Sequence, residues 1–144
     1  VNTPLRTAAD VAALKAGILD GTIDCIASHH LPQDYDNKIC EFENAKFGME
    51  GLETTVAAVK TAIPELSNEQ LTALFSTNPA TIFKIELPAI AVGNKADLSL
   101  WQDTTWQVQT SDIKSACKNN SFIGKTLNIK IKGVINGNKI HIND

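Results

Sequence analysis

Ile23-Asp24-Cys25-Ile26-Ala27-Ser28-His29-His30-Leu31-Pro32-Gln33 is the stretch from which the rest of the 144-residue chain is read. A short run with β-branched residues ends abruptly in two histidines, and Pro32 closes it. The run predicts a buried strand over about residues 22–28. Polar, titratable groups placed where a buried strand passes into a loop form the rim of active sites in α/β proteins. Two of the three histidines sit here. The residues that follow, from Asp34 to Glu43, are polar and acidic and read as a loop.

Upstream, Pro4 biases Thr3 away from helical geometry, so residues 2–6 read as an extended lead-in. Thr7-Ala8-Ala9-Asp10 resembles a capping box with Asp in the place of Glu. Val11, Leu14 and Ile18 follow at helical spacing, and Gly21 offers a left-handed stop. A helix running directly into a buried strand is the grammar of an α/β protein. Downstream, Gly48 and Gly51 suit a turn into a helix whose apolar face is Leu52, Val56, Val59 and Ile63, ended by Pro64. Ser67-Asn68-Glu69-Gln70 is a second capping box, with Leu71, Leu74 and Phe75 inward. Asn78-Pro79 reads as a cap plus a proline at the first helical position of a further helix to about Phe83.

After Pro88 the period changes to two. Ala96, Leu98 and Leu100 alternate with polar residues, Trp106-Gln107-Val108-Gln109 repeats the pattern, and Leu127, Ile129 and Ile131 alternate with Asn128, Lys130 and Lys132. Asn136-Gly137, between Val134-Ile135 and Lys139-Ile140-His141-Ile142, predicts a type I′ hairpin. The α/β half and the β half meet near residues 84–95.

A chain of this length buries one sizeable core, and 43% hydrophobic with 20% charged residues is an ordinary globular composition. A net charge of −3 gives no support to a nucleic-acid partner or an acidic membrane. No apolar run approaches a bilayer span, and no leader is legible before Val1. The chain does not begin with Met, which suggests a piece of something longer. Cys25, Cys40 and Cys117 form no C-x-x-C pair, so a reducing, cytoplasmic setting is expected. Asn119-Asn120-Ser121 fits a glycosylation triplet that arises often by chance.

His29 and His30 carry ring nitrogens that suit a metal, but neighbours on a strand point to opposite faces, which makes two ligands to one ion awkward. His141 reads as a surface residue. Asp34-Tyr35-Asp36-Asn37-Lys38 starts like a calcium loop and fails at Lys38 and Ile39, leaving a solvated loop as the plainer reading. Cys40 with His30 would make a nucleophile–base pair, though nothing in the spacing joins them. Trp101 and Trp106 read as packing residues of the β half.

Several segments in order go beyond texture. Asn2-Thr3-Pro4-Leu5-Arg6 resembles N-P-P-L-R, Asp20-Gly21-Thr22-Ile23-Asp24 resembles D-G-T-I-D, and residues 26–33 resemble I-A-T-D-H-A-P-H. Phe47-Gly48-Met49-Glu50-Gly51-Leu52-Glu53-Thr54 resembles F-G-x-x-G-L-E-T. Ser76-Thr77-Asn78-Pro79-Ala80 and Gly93-Asn94-Lys95-Ala96-Asp97-Leu98 resemble S-x-N-P-A and G-x-x-A-D-L. The ordered set resembles the carboxyl-terminal marks of dihydroorotases in the amidohydrolase superfamily.

That resemblance implies an α/β fold made of the last strand–helix units of a (β/α)8 TIM-like barrel, residues 1–88. The carboxyl-terminal strands of a small β-sandwich domain, residues 89–144, would follow. It implies a zinc-dependent hydrolase acting on cyclic amides, interconverting N-carbamoyl-aspartate and dihydroorotate in pyrimidine synthesis, with most metal ligands upstream. Asn2 matches a substrate-binding asparagine. His29 stands where the family has an aspartate that touches metal and shuttles a proton. Gln33 stands where it has a substrate-binding histidine. An imidazole brings no negative charge, and Gln33 can donate a hydrogen bond but cannot become a cation. The alternative is a non-catalytic homologue serving as a structural or assembly subunit. Expected partners are a small-molecule substrate, further copies of the protein and, by analogy with inactive relatives, a carbamoyltransferase; no nucleic acid or membrane is expected.

Overall fold

The structure is a computed structural model and describes residues 7–143. The lead-in and Asn2 lie outside the described residues. Thr7 Oγ1 accepts from the Asp10 N–H at 3.2 Å and the Asp10 carboxylate accepts from the Thr7 N–H at 3.0 Å. This reciprocal cap opens α1 (Ala8–Leu19), and Gly21, at φ +81°, ends it. Val11 and Leu14 face solvent, whereas Ile18 packs on the core.

The strand expected over residues 22–28 does not form. A strand needs a ladder neighbour, and among the described residues none lies beside it. The helices hold this stretch instead. α2 (Thr55–Ala62) begins later than the sequence suggests, leaving Leu52 exposed, and ends before Pro64. The second capping box opens α3 (Asn68–Thr72), which passes through a π turn (Ala73–Thr77) into α4 (Asn78–Phe83). Asn78 is therefore not a cap: it is helical, and its Nδ2 donates to the Asp24 carbonyl at 2.8 Å.

Pro79 explains the π turn. In a regular α-helix its ring would press on the carbonyl of Phe75. In the wider register the Asn78 N–H bonds Ala73 O. The next bond of that register would need a Pro79 N–H for Leu74 O, and Pro79 has none. That carbonyl accepts from the Ile26 N–H at 3.1 Å. A missing donor in the helix thus seats the stretch that leads to His29.

The two alternating runs of the β half join into one long strand, β1 (Asp97–Gln107), with register shifts after Leu100 and Asp103. It pairs antiparallel with β2 (Thr126–Asn136), which pairs with β3 (Lys139–Ile142). The hairpin forms, but Asn136 pairs with Lys139, so its turn is Gly137-Asn138. Of these two, Gly137 alone has positive φ, +56°, which is a II′ rather than the expected I′ pattern.

One core runs through both halves. Ala57, Ile63, Leu66, Leu71 and Leu74 pack with Val108, Ile113, Leu127 and Ile129. Thr61 Oγ1 accepts from the Asn128 N–H at 3.0 Å, tying α2 to β2. Trp101 and Trp106 line the core from the β half, and the Trp106 indole N–H donates to Ile129 O at 2.6 Å.

Candidate functional site

His29 has φ +47°, left-handed backbone that costs a residue with a Cβ about 1–2 kcal/mol. Its ring is exposed. His30 turns the other way: its Nδ1 accepts from the backbone N–H groups of Gly51 at 3.3 Å and Leu52 at 3.2 Å. Glu50 Oε1 lies 3.5 Å from the same nitrogen, an ion pair only if the ring is protonated. Two amides already point at Nδ1, which makes that nitrogen an acceptor and places a ring proton on Nε2. The two histidines do not share a ligand point, and among the described residues no three His, Cys, Asp or Glu side chains gather as a metal centre.

The loop carrying His30 and Gln33 rests on the turn before α2. The Leu31 N–H donates to Met49 O at 3.0 Å. Gly48, at φ +108°, is pressed against Leu31: a methyl there would stand 2.8 Å from Leu31 Cβ. Gln33 is held by its backbone. Its N–H donates to Asn119 Oδ1 at 3.4 Å and its carbonyl accepts from the Cys117 thiol at 2.5 Å.

Sequence reasoning missed what braces this turn. Glu50 is fully buried. Its Oε1 accepts from the Glu53 N–H at 3.1 Å and its Oε2 from Asn120 Nδ2 at 2.5 Å. Asn120 Nδ2 also reaches Thr54 Oγ1 at 3.0 Å, while Asn120 Oδ1 accepts from the Phe122 N–H at 2.8 Å. The Glu53 carboxylate accepts from the Lys114 and Ser115 N–H groups at 2.7 and 2.8 Å. No buried side-chain polar atom among the described residues lacks a partner. The available signal was a pair of carboxylates three apart in a glycine-flanked turn.

The remaining sequence candidates resolve simply. The Cys40 thiol faces Asn37 O at 3.8 Å and is not paired with His30. Residues Tyr35–Asn37 make a short 3-10 turn on an exposed loop. His141 is exposed and meets Asn143 Oδ1 at 3.1 Å. Among the described residues no helix is long and apolar enough to cross a membrane.

The fold has close neighbours among solved structures. A D-hydantoinase matches 99% of this chain and 33% of its own, with a TM-score of 0.83 at 24% identity. The dihydropyrimidinase of Brevibacillus agri matches 99% of this chain and 33% of its own, also with a TM-score of 0.83, at 20% identity. The chain thus shares the fold of a segment of each of these two proteins. By sequence it is a homologue of the dihydroorotases: that of Geobacter sp. strain M21 is 40% identical over 127 residues, 86% of this chain and 30% of the relative. The chain therefore spans about a third of the length of the curated relatives it matches. A scan against protein-family models matches none.

Proposed function

We propose that the chain is the carboxyl-terminal portion of a dihydroorotase-like, metal-dependent cyclic amidohydrolase. Residues 1–88 would close a (β/α)8 barrel and residues 89–144 would supply strands of a small β-sandwich domain. The observation that carries this is the 40% identity to a dihydroorotase over 127 residues. The stretch at residues 22–28, which has no ladder partner among the described residues, supports it, since a barrel strand needs parallel neighbours. Its product would be reversible closure of N-carbamoyl-aspartate to dihydroorotate in a cytoplasmic homo-oligomer.

The donor set decides what zinc could find here. His29 presents one exposed imidazole, and Nδ1 of His30 is engaged by Gly51 and Leu52. The chain therefore fits zinc as the giver of a single ligand, His29, to a site completed elsewhere in the protein. Zinc there would supply Lewis acidity toward the amide carbonyl. His29 would bind the metal or take the proton on a ring nitrogen, and Gln33 and Asn2 would hold the substrate carboxylates. The chain alone would be inactive.

The second reading is a non-catalytic homologue that acts as an assembly subunit, with a carbamoyltransferase as its partner. What favours it is His29 itself, which stands where the family carries an anionic aspartate. Zinc content and carbamoyl-aspartate cyclisation separate the two, measured on the longer protein that carries this chain, beside its His29→Asp form. Zinc-dependent turnover with His29 in place supports the enzyme. Turnover only after His29→Asp supports a protein that has left catalysis, and absence of zinc from both forms supports the assembly subunit.

A further inference from the structure

We propose that Asn119 is a positioning residue for the substrate-contact loop. The proposal rests on the assignment of Gln33 to substrate. Asn119 lies between β1 and β2, far from Gln33 in sequence, and its one amide touches three parts of the site. Oδ1 accepts from the backbone N–H groups of Gln33 at 3.4 Å and Glu50 at 3.3 Å, and the Cys117 sulfur, whose one proton is shared with the Gln33 carbonyl, stands 2.8 Å away. Nδ2 donates to Gly48 O at 3.3 Å. The backbone adds a further bond, from the Glu50 N–H to Asn119 O at 3.1 Å.

The loop at Gln33 and the turn at Gly48 carry no secondary structure. Within their own backbone, among the described residues, the bonds from Leu31 to Met49 and from Lys46 to Asn37 hold the separation between them. Asn119 fixes it from outside, because a planar amide with an acceptor on one side and a donor on the other spans both. The neighbouring Asn120 is locked by Glu50, Thr54 and Phe122, so the Asn119 backbone has little freedom to drift. The Gln33 side chain makes no hydrogen bond among the described residues, and is available to a ligand once its backbone is set. Asn119 does not itself need to touch substrate. It sets where Gln33 stands, an effect on substrate binding more than on the chemical step.

The test compares Asn119→Ala with Asn119→Asp in the longer protein. The aspartate keeps the acceptor for Gln33 and Glu50, loses the donor to Gly48 and sets a carboxylate oxygen against that carbonyl. With Asn119→Ala, the KM for carbamoyl-aspartate should rise about tenfold with kcat changed less than about twofold, one lost positioning bond's worth. Asn119→Asp should recover part of that KM, through the acceptor it keeps for Gln33. Amide exchange at Gln33 and Glu50 should quicken in the alanine variant and return toward the parent rate in the aspartate variant. An unchanged KM, or kcat and zinc content falling together, would overturn the proposal. If the parent neither turns over nor binds dihydroorotate, the dihydroorotase reading fails. The exchange rates at Gln33 and Glu50 then decide by themselves whether Asn119 holds the loop, and unchanged rates sink it.

Discussion

Asn120 Nδ2 donates to the buried carboxylate of Glu50 at 2.5 Å, across 70 positions of sequence. Glu50 is fully buried and Asn120 is 7% exposed, so neither group has bulk water as an alternative. Removing one partner strands the other, and a stranded buried polar group costs more than a hydrogen bond contributes. Asn120→Ala should therefore weaken local stability by about 2–3 kcal/mol, read as faster amide exchange at Glu53 and Phe122. Glu50→Gln faces two amide donors with each other and should cost about as much. Combining Glu50→Gln with Asn120→Asp restores a donor opposite an acceptor, so the double variant should be at least about 1 kcal/mol better than the sum of the singles. Strict additivity would show that the two side chains do not depend on each other.

His30 is expected in the Nε2–H form, because Nδ1 is the acceptor for Gly51 and Leu52. Long-range proton–nitrogen correlation spectra distinguish the tautomers directly. His30→Ala should leave both amides without this partner and weaken the turn before α2 by about 1–2 kcal/mol. Finding the proton on Nδ1 would mean that His30 donates to Glu50 and does not cap the turn.

Gly48 tests how tightly the two loops are pressed together. Its φ of +108° and the 2.8 Å approach to Leu31 Cβ leave no room for a methyl group. Gly48→Ala should cost about 2 kcal/mol or more, through strain and displacement of Leu31. The bond from the Leu31 N–H to Met49 O is the reporter, and its exchange should rise.

The sequence shows local chemistry well and distant chemistry poorly. Thr7 with Asp10 and Ser67 with Gln70 are legible because a capping box lies within four residues, and both form. The hairpin at Asn136 is legible for the same reason, although the turn settles one residue later. The stretch at residues 22–28 has the composition of a buried strand, but a ladder is a property of two segments and composition reports one. Asn78-Pro79 looks like a helix start because proline favours the first turn; the chain instead absorbs the proline with a π turn. Glu50 and Asn120 are not legible as a pair. Glutamate in a glycine-flanked turn looks solvated, and Asn119-Asn120-Ser121 looks like a chance triplet until the fold brings it beneath Gly48. Of the site expectations, His29 and Gln33 fall on one loop, while Asn2 lies outside the described residues.

Acid should loosen the start of α1. Hydrogen bonds from Thr7, first the side chain and then the backbone, hold the Asp10 carboxyl below the ordinary aspartate range. A carboxylate lowered on folding adds stability that is complete above the ordinary aspartate range and is lost as pH falls through the lowered value. The Asp10 carboxyl carbon should titrate below the usual midpoint, and Thr7→Ala should move it back up. An unshifted midpoint in the unaltered chain would show that the cap does not persist in solution.

The isolated chain should self-associate. Phe42, Phe83, Ile90 and Val92 are all at least 70% exposed, and the stretch at residues 22–28 has no ladder partner among the described residues. Sedimentation should show mass rising with concentration, and a monodisperse monomer would contradict this.

The shared core bears on how such proteins can be cut and recombined. Leu66, Leu71 and Leu74 have Val108, Ile113, Leu127 and Ile129 among their companions, so a break in the connection after Lys84 opens an interior and not a seam. The β segment is no interchangeable module. A recombinant that takes its strands from one relative and its helices from another inherits two half-interiors shaped for different mates. Viable crossovers should carry both sides of that contact together.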